Sequence, residues 1–347
     1  MIMFLISNGI SIAGFRITFY AICILLGAIS AYKLSQWFLK KRGFDPEAIE
    51  NLFYIAFPAG IVGARIWYVI ASWNEFAGQP FYKVFAIWEG GLAIQGGIIG
   101  GVIAGVIFMI LRRPNIPVLL ATDCIVPTIA VAQCIGRWGN FFNQEVYGKC
   151  VSNKYWSWLP NFIEDRITYV AEKDSGWITG WKTINDERVF LCEEGQVVQP
   201  LFLIEGVINL AGFFIIAFGI PTLFKWISKK TNNKVSLADG DLMCAYLIWY
   251  GIVRAIMEPL RNSAFIMGNY ASKYMAIAMI VIGCIGIVLC HIYRNKIKKK
   301  PILDTNVIPG SEAAEKAVNI SEIVKKEKTT EEKTNESVDE SLDDKEN

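Results

Sequence analysis

Seven runs of predominantly apolar residues, at roughly 16–36, 50–72, 91–111, 117–136, 200–224, 240–258 and 273–293, constrain this chain more than any other feature. A helix needs about 20 residues to cross about 30 Å of hydrocarbon, and each run reaches that length. Lipid leaves no backbone N–H or C=O a partner outside the segment, so such runs cross as helices. The sequence therefore predicts an all-α polytopic membrane protein with seven transmembrane helices. Composition agrees: 53% of the 347 residues are hydrophobic and 19% charged, with mean hydropathy +0.36. Soluble domains average about 45–50% apolar and about 25% charged.

Basic residues set how such helices thread the bilayer, because Lys and Arg collect in short cytoplasmic loops. Lys40, Lys41 and Arg42 follow the first run, and Arg112 and Arg113 the third. Lys225, Lys229, Lys230 and Lys234 follow the fifth, while Arg294, Lys296 and Lys298 to Lys300 follow the seventh. The intervening loops are basic-poor for their length, with Lys83 alone after the second run and Arg261 and Lys273 between the sixth and seventh. This alternation puts the N-terminus outside and the C-terminus in the cytoplasm. Residues 138–198 then face outward as a small extracytoplasmic loop subdomain of a membrane domain spanning 1–295.

Residues 296–347 form a basic-then-acidic segment, and beyond Pro301 its polar, aromatic-free composition predicts a disordered cytoplasmic tail. The Met1–Ile12 run is too short to span and lacks signal-peptide features, which suits a segment lying along the surface. Because basic residues sit between apolar segments and not along one polar face, the expected partner is the lipid bilayer, with no nucleic acid.

Histidine chemistry is confined to His291, at the end of the last run, where a polar flank is the simplest reading. The eight cysteines include no C-x-x-C pair, which argues against a zinc site, so no metal is expected. Six of them fall in or beside apolar runs, while Cys150 and Cys192 share one polar loop on the oxidising side. There they are either two thiols or one disulfide.

Several polar side chains stand where apolar ones are cheaper. Arg16 and Tyr20 open the first run, Arg65 and Tyr68 lie in the second, Gln95 in the third, Asp123 in the fourth and Glu205 in the fifth. Tyr250, Arg254 and Glu258 follow at helical spacing in the sixth, with Arg261 one turn on, all on one predicted helix face. An ionisable group at the bilayer centre costs about 2.5–3.5 kcal/mol, so these groups are expected to face one another. The stretch Gly136 to Gly148 adds Arg137, Asn140, Asn143 and Glu145 at a membrane face. Taken alone, Arg137 also fits a snorkelling residue at a solvated helix end, and Arg254 with Glu258 fits a local ion pair. Neither reading accounts for Arg65, Arg137 and Arg254 together. Converging guanidinium groups suit a phosphate-bearing amphiphile, with Arg137 and Arg254 as forked donors to its oxygens. Glycines in the third run, among them Gly97, Gly101 and Gly105, fit close helix packing, whereas Gly96 beside Gln95 fits irregular backbone near a wet cavity.

The segment GRWGNFFNQEVYG at Gly136 to Gly148 resembles the signature of bacterial prolipoprotein diacylglyceryl transferases. Other pieces follow in that family's order: Tyr20, GARIWYV at Gly63 to Val69, WEGGLAIQGGIIG at Trp88 to Gly100, Pro200 with Glu205, and YGIVRAIMEPLR at Tyr250 to Arg261. Many members carry His where this chain has Gln95 and Gln199, and Tyr where it has Ile204. The resemblance covers roughly residues 10–295. It implies a multi-pass enzyme of the bacterial cell membrane that transfers the diacylglyceryl group of phosphatidylglycerol to the lipobox cysteine thiol of prolipoprotein signal peptides. Glycerol phosphate is released, and neither metal nor organic cofactor is needed.

Thiolate is the nucleophile in such a transfer, and a free cysteine ionises near pH 8.5, so a cationic site favours both the thiolate and the leaving phosphate. For that reaction Arg137 and Arg254 are expected on the phosphate, Arg254 at the leaving oxygen and Arg137 at headgroup capture. Asn140, Asn143 and Gly148 would contact phosphate or glycerol, Glu145 and Glu258 would orient the arginines or accept from glycerol, and Tyr20, Gln95, Gly96 and Tyr250 would line the cavity with Arg65, Glu205 and Arg261. Without an imidazole at position 95, the thiol proton passes to Glu145 or to the lipid phosphate. Two other readings remain: a seven-span transporter or receptor that binds anionic lipid without cleaving it, and a family relative that has lost activity. Transporters commonly show inverted repeats, and the sequence reveals none.

Overall fold

The structure is a computed structural model and describes residues 9–12, 15–112, 116–143, 146–167, 196–232, 235–261 and 271–296. Among these, seven helices are long and apolar enough to cross a membrane. They are α1 Phe19–Lys41, α2 Glu47–Ala71, α3 Ile94–Arg112, α4 Val118–Asn143, α6 Leu201–Lys230, α7 Asp241–Met257 and α8 Ala271–Lys296, with α5 Asn161–Ile167 a short helix outside the set. All seven apolar runs are helical, as their length demands.

Their ends depart from the sequence reading for identifiable reasons. The first helix starts at Phe19 and not at Arg16, because Gly9–Ile12 (β1) pairs antiparallel with Phe15–Thr18 (β2). Thr18 then caps α1, its hydroxyl accepting from Ala21 N at 3.2 Å. The fourth helix runs on to Asn143, so eight of the thirteen residues of the Gly136 to Gly148 stretch are helical and not loop. Hydropathy falls there, yet the polar side chains have partners inside the protein. The sixth span is shorter than its charge spacing suggested. Its α-helix ends at Met257, a tight turn through Pro259 follows, and Arg261 is extended at φ −67°, ψ 149°. Arg261 therefore leaves the helical face of Tyr250 and Arg254.

The main compact unit comprises Met1–Gln36 and Glu47–Ile302. Within it, α2 packs on α3, α7 on α8, and α4 on both α6 and α7, while α1 meets α2 and α4. Glycine makes the α2–α3 contact: a Cβ on Gly100 would stand 2.6 Å from the carbonyl oxygen of Ala59 and 3.1 Å from the Cα of Gly63. Such small-residue faces let backbones approach where lipid supplies no hydrophobic drive. Tyr32 of α1 stacks on Phe53 of α2 at 4.7 Å, and Ser35 shares a 3.0 Å hydrogen bond with Thr128 of α4. Asp123 does not join the other charges. It accepts from Gly240 N at 2.8 Å and Met243 N at 2.9 Å, satisfying the first amides of α7 at the opposite end from Arg254. His291 lies nearby on α8, its Nε2 3.0 Å from Asp241 and its Nδ1 3.0 Å from Arg294.

A second unit is described over Trp37–Pro46, where α1 ends. Gly43 turns the chain at φ 82°, and Lys41 lies over the Trp37 ring at 4.9 Å.

Beyond α4 the chain builds a small head. Strands Cys150–Ser152 (β3) and Gln196–Val198 (β4) pair antiparallel, and α5 packs Ile163 and Ile167 with Tyr147, Val197, Phe141 and Phe202 in one core. Arg166 of α5 donates to the Phe142 carbonyl at 3.0 Å, capping the last turn of α4. Cys150 is disulfide-bonded, while Cys192 lies outside the described residues, as does the whole 301–347 tail.

Candidate active site

Three elements converge at one membrane end. The last turns of α4 carry Arg137 and Asn140, the second turn of α6 carries Glu205, and the end of α7 carries Arg254, Glu258 and, past the turn, Arg261. Each has a polar partner within the cluster. Arg137 forms an ion pair with Glu205, 68 residues away, and its Nη1 donates to Asn140 Oδ1 at 3.4 Å. The second oxygen of Glu205 lies 3.6 Å from Arg261 Nη2. Glu258 pairs with Arg254 at 3.3 Å and with Arg261 Nε at 3.5 Å. Arg254 Nε donates to Ser272 Oγ of α8 at 3.2 Å.

Guanidinium groups outnumber carboxylates here by three to two, counting Arg137, Arg254 and Arg261 against Glu205 and Glu258. The cluster is thus cationic in a region where charge is costly. Its donors are not all used. Arg261 Nε and Nη2 are buried and face carboxylates only at ion-pair distance, without a hydrogen bond. Burial lowers the Arg261 pKa, Arg254 lowers it further, and Glu205 and Glu258 oppose both. An added anion would relieve that strain on the cation. Arg137 offers the way in, since its side chain is 16% exposed against 1% for Glu205 and 6% for Arg261.

The backbone around the cluster is closely fitted. Val146 turns the chain after α4 at φ 61°, a rare conformation for a β-branched residue. Gly148 then bridges antiparallel to Arg261 and donates to the Gln199 carbonyl at 3.0 Å. A Cβ on Gly148 would lie 2.7 Å from Gln199 Cβ, so only glycine allows this approach. Gly148 thereby holds the Arg261 backbone. Tyr20 lies against Gly139, where a Cβ would come within 2.7 Å of its ring. Tyr250, one turn before Arg254, stacks on Tyr246 at 6.1 Å.

Other residues singled out by sequence fall elsewhere. Arg65 does not join the cluster. It donates to the carbonyls of Lys83, Val84, Gly90 and Gly91 at 2.6, 2.8, 2.7 and 3.0 Å, which clamps the α2–α3 connection. Four carbonyl oxygens satisfy its fork, so it has little left for a phosphate. Gly96 packs on Gly63 and Trp67 within the α2–α3 contact, so its role there is close approach and not irregular backbone. Gln95 is half-buried in the first turn of α3, and no hydrogen bond ties it to the arginines among the described residues. Asn143 ends α4, and Glu145 lies outside the described residues. The partner that sequence reasoning missed is Glu205 for Arg137. No local spacing announces a pair so distant in sequence, whereas the i,i+4 pair Arg254–Glu258 is legible directly.

Fold and site together define a polytopic membrane protein with a buried, arginine-rich centre where three helices end. Residues 8–289 match the prolipoprotein diacylglyceryl transferase family. Two phosphatidylglycerol–prolipoprotein diacylglyceryl transferases, from Streptococcus pyogenes serotype M5 (strain Manfredo) and serotype M1, are each 37% identical to the chain over 273 residues, 78% of this chain and 90% of theirs. The chain belongs to this family of membrane transferases.

Proposed function

We propose that this protein transfers the diacylglyceryl group of phosphatidylglycerol to the lipobox cysteine of prolipoprotein signal peptides, in the bacterial cytoplasmic membrane and from its outer face. The cationic cluster of Arg137, Arg254 and Arg261 carries this reading, because the reaction needs positive charge at both ends of one substitution. Sulfur attacks the glycerol carbon bearing the phosphate ester. A C–S bond forms, the C–O bond breaks with its electrons on oxygen, and the thiol proton ends on the departing glycerol phosphate.

Arg137, the most open of the three, takes the headgroup phosphate. Arg254, fixed by Glu258 and Ser272, stabilises charge on the leaving oxygen. Arg261 supplies its unused donors to the same phosphate, and Glu205 holds Arg137 and Arg261 apart at a fixed spacing. Each pH unit between the thiol pKa and the medium corresponds to about 1.4 kcal/mol, a stabilisation within reach of adjacent guanidinium groups. Asn140 and Asn143 line the headgroup side, and Tyr20 and Tyr250 the walls. Basic residues after α1, α3, α6 and α8, against basic-poor connections at the other end, support an N-out, C-in orientation.

The test incubates purified protein in nanodiscs with phosphatidylglycerol and a lipobox peptide, then follows glycerol phosphate and peptide mass. Both products are expected. Lipid binding with neither product would leave a binding protein and overturn the transferase.

A further inference from the structure

Asn209 stands one turn further along α6 than Glu205; it is 1% exposed, and among the described residues neither atom of its amide has a hydrogen-bonding partner. Leaving a buried polar group unsatisfied costs about 1–3 kcal/mol, and hydrocarbon supplies no substitute partner. Two neighbours share the condition. On α4, one turn before Arg137, Gln133 has a buried Oε1 without a partner, although the side chain shares a hydrogen bond with Tyr246 of α7. On α7, the Nε1–H of Trp249 is buried and unpaired.

Register brings the three within one helical turn of each other. Arg137 pairs with Glu205, and Cys134 Sγ lies 3.7 Å from where a Cβ on Gly206 would stand. Stepping one turn inward on both helices sets Gln133 opposite Asn209. From the third side, the Trp249 indole nitrogen occupies the space a Cβ on Gly212 would fill, one turn beyond Asn209 on the same face of α6.

The unmet groups are chemically complementary: a donor on Trp249, an acceptor on Gln133, and both on Asn209. Yet none reaches another. A buried water makes about three hydrogen bonds to groups of this kind. We propose that Gln133, Asn209 and Trp249 form a buried hydration site for one or two waters, enclosed by α4, α6 and α7 one turn inside the arginine–glutamate cluster. All three side chains are neutral and mix donors with acceptors, which selects water over an ion. Its place explains its use. Water beneath Glu205 and Arg137 raises the local dielectric and lowers the cost of keeping both charged inside the bundle.

The sign of a stability change tests this. Thermal unfolding is measured for wild type, Asn209→Leu, Trp249→Phe and the double variant in nanodiscs. If Asn209 bridges to its neighbours through water, Asn209→Leu strands them and lowers Tm by about 3 °C or more. In the Trp249→Phe background the same change should cost less than half as much. A dry site would behave oppositely: replacing an orphaned amide by Leu would raise Tm, and that outcome, or additive shifts, overturns the proposal. Should Asn209→Leu fail to fold, the Trp249 indole resonance of the wild type, assigned by its loss in Trp249→Phe, decides instead. Cross-relaxation with water is expected, and none would refute the site.

Discussion

Glu205 and Arg137 are ion-paired between α6 and α4, although 68 residues separate them in sequence. The carboxylate is almost fully buried and also faces Arg261 at 3.6 Å, so it is the fixed point about which two arginines are placed. In the proposed mechanism transfer depends on guanidinium spacing, and Glu205 is the residue that sets it.

Glu205→Gln keeps the shape and removes the charge. Breaking one partner from a buried ionic group costs about 3–5 kcal/mol. Thermal unfolding should show a large drop in Tm, and the folded fraction should lose transferase turnover by more than tenfold. Near-normal kcat in folded Glu205→Gln would show that Arg137 and Arg261 hold their places without it.

Arg137→Ala and Arg254→Ala remove different halves of the proposed mechanism. Arg137, more open, should affect phosphatidylglycerol KM as well as kcat, while Arg254→Ala should act on kcat above all. Steady-state kinetics across lipid mole fraction separate the two. Removing a donor that stabilises developing charge lowers kcat about 10²- to 10³-fold. Retention of wild-type rates by either variant would exclude it from the reaction.

Arg65→Lys tests a clamp outside the cluster. Lysine cannot reproduce the fork that engages four carbonyls. Each charge-assisted bond is worth about 1.5–3 kcal/mol, so the connection between α2 and α3 should loosen. Limited proteolysis between Ser72 and Gly91 should speed up. An unchanged cleavage pattern would mean the helix pair alone fixes that segment.

Asp123→Ala strips two amides of α7 of their acceptor at the end remote from the arginines. Loss of a cap costs about 1–2 kcal/mol. Tm should fall by a few degrees while the KM for phosphatidylglycerol stays within twofold in the folded protein. A large KM change would tie Asp123 to the site after all.

Gln95→His places an imidazole in the first turn of α3. Because no hydrogen bond links Gln95 to the cluster among the described residues, turnover should be retained or raised slightly. The pH–rate profile is the informative readout, since a new limb near pH 6–7 would report participation of the imidazole. Complete loss of activity would assign Gln95 itself a role.

Hydropathy alone determined the seven spans, because lipid requires about 20 apolar residues per crossing and permits little variation. Glycines such as Gly97 and Gly101 were also legible, since close helix packing needs small residues at fixed spacing. The polar residues at 137, 205, 254, 258 and 261 stood out for the same reason, as exceptions that hydrocarbon does not tolerate unpaired. What the sequence could not assign was which exception meets which. Arg65 and Arg137 are alike in one dimension, yet one binds carbonyls of its own loop and the other a glutamate from another helix. Asp123 and Glu205 are both buried carboxylates, yet one caps a helix and the other aligns arginines. Local spacing reaches only one or two helical turns, so Arg254–Glu258 was readable and Arg137–Glu205 was not. Pairing across the bundle is set by the register in which α4, α6 and α7 pack, and that register exists only in the folded protein.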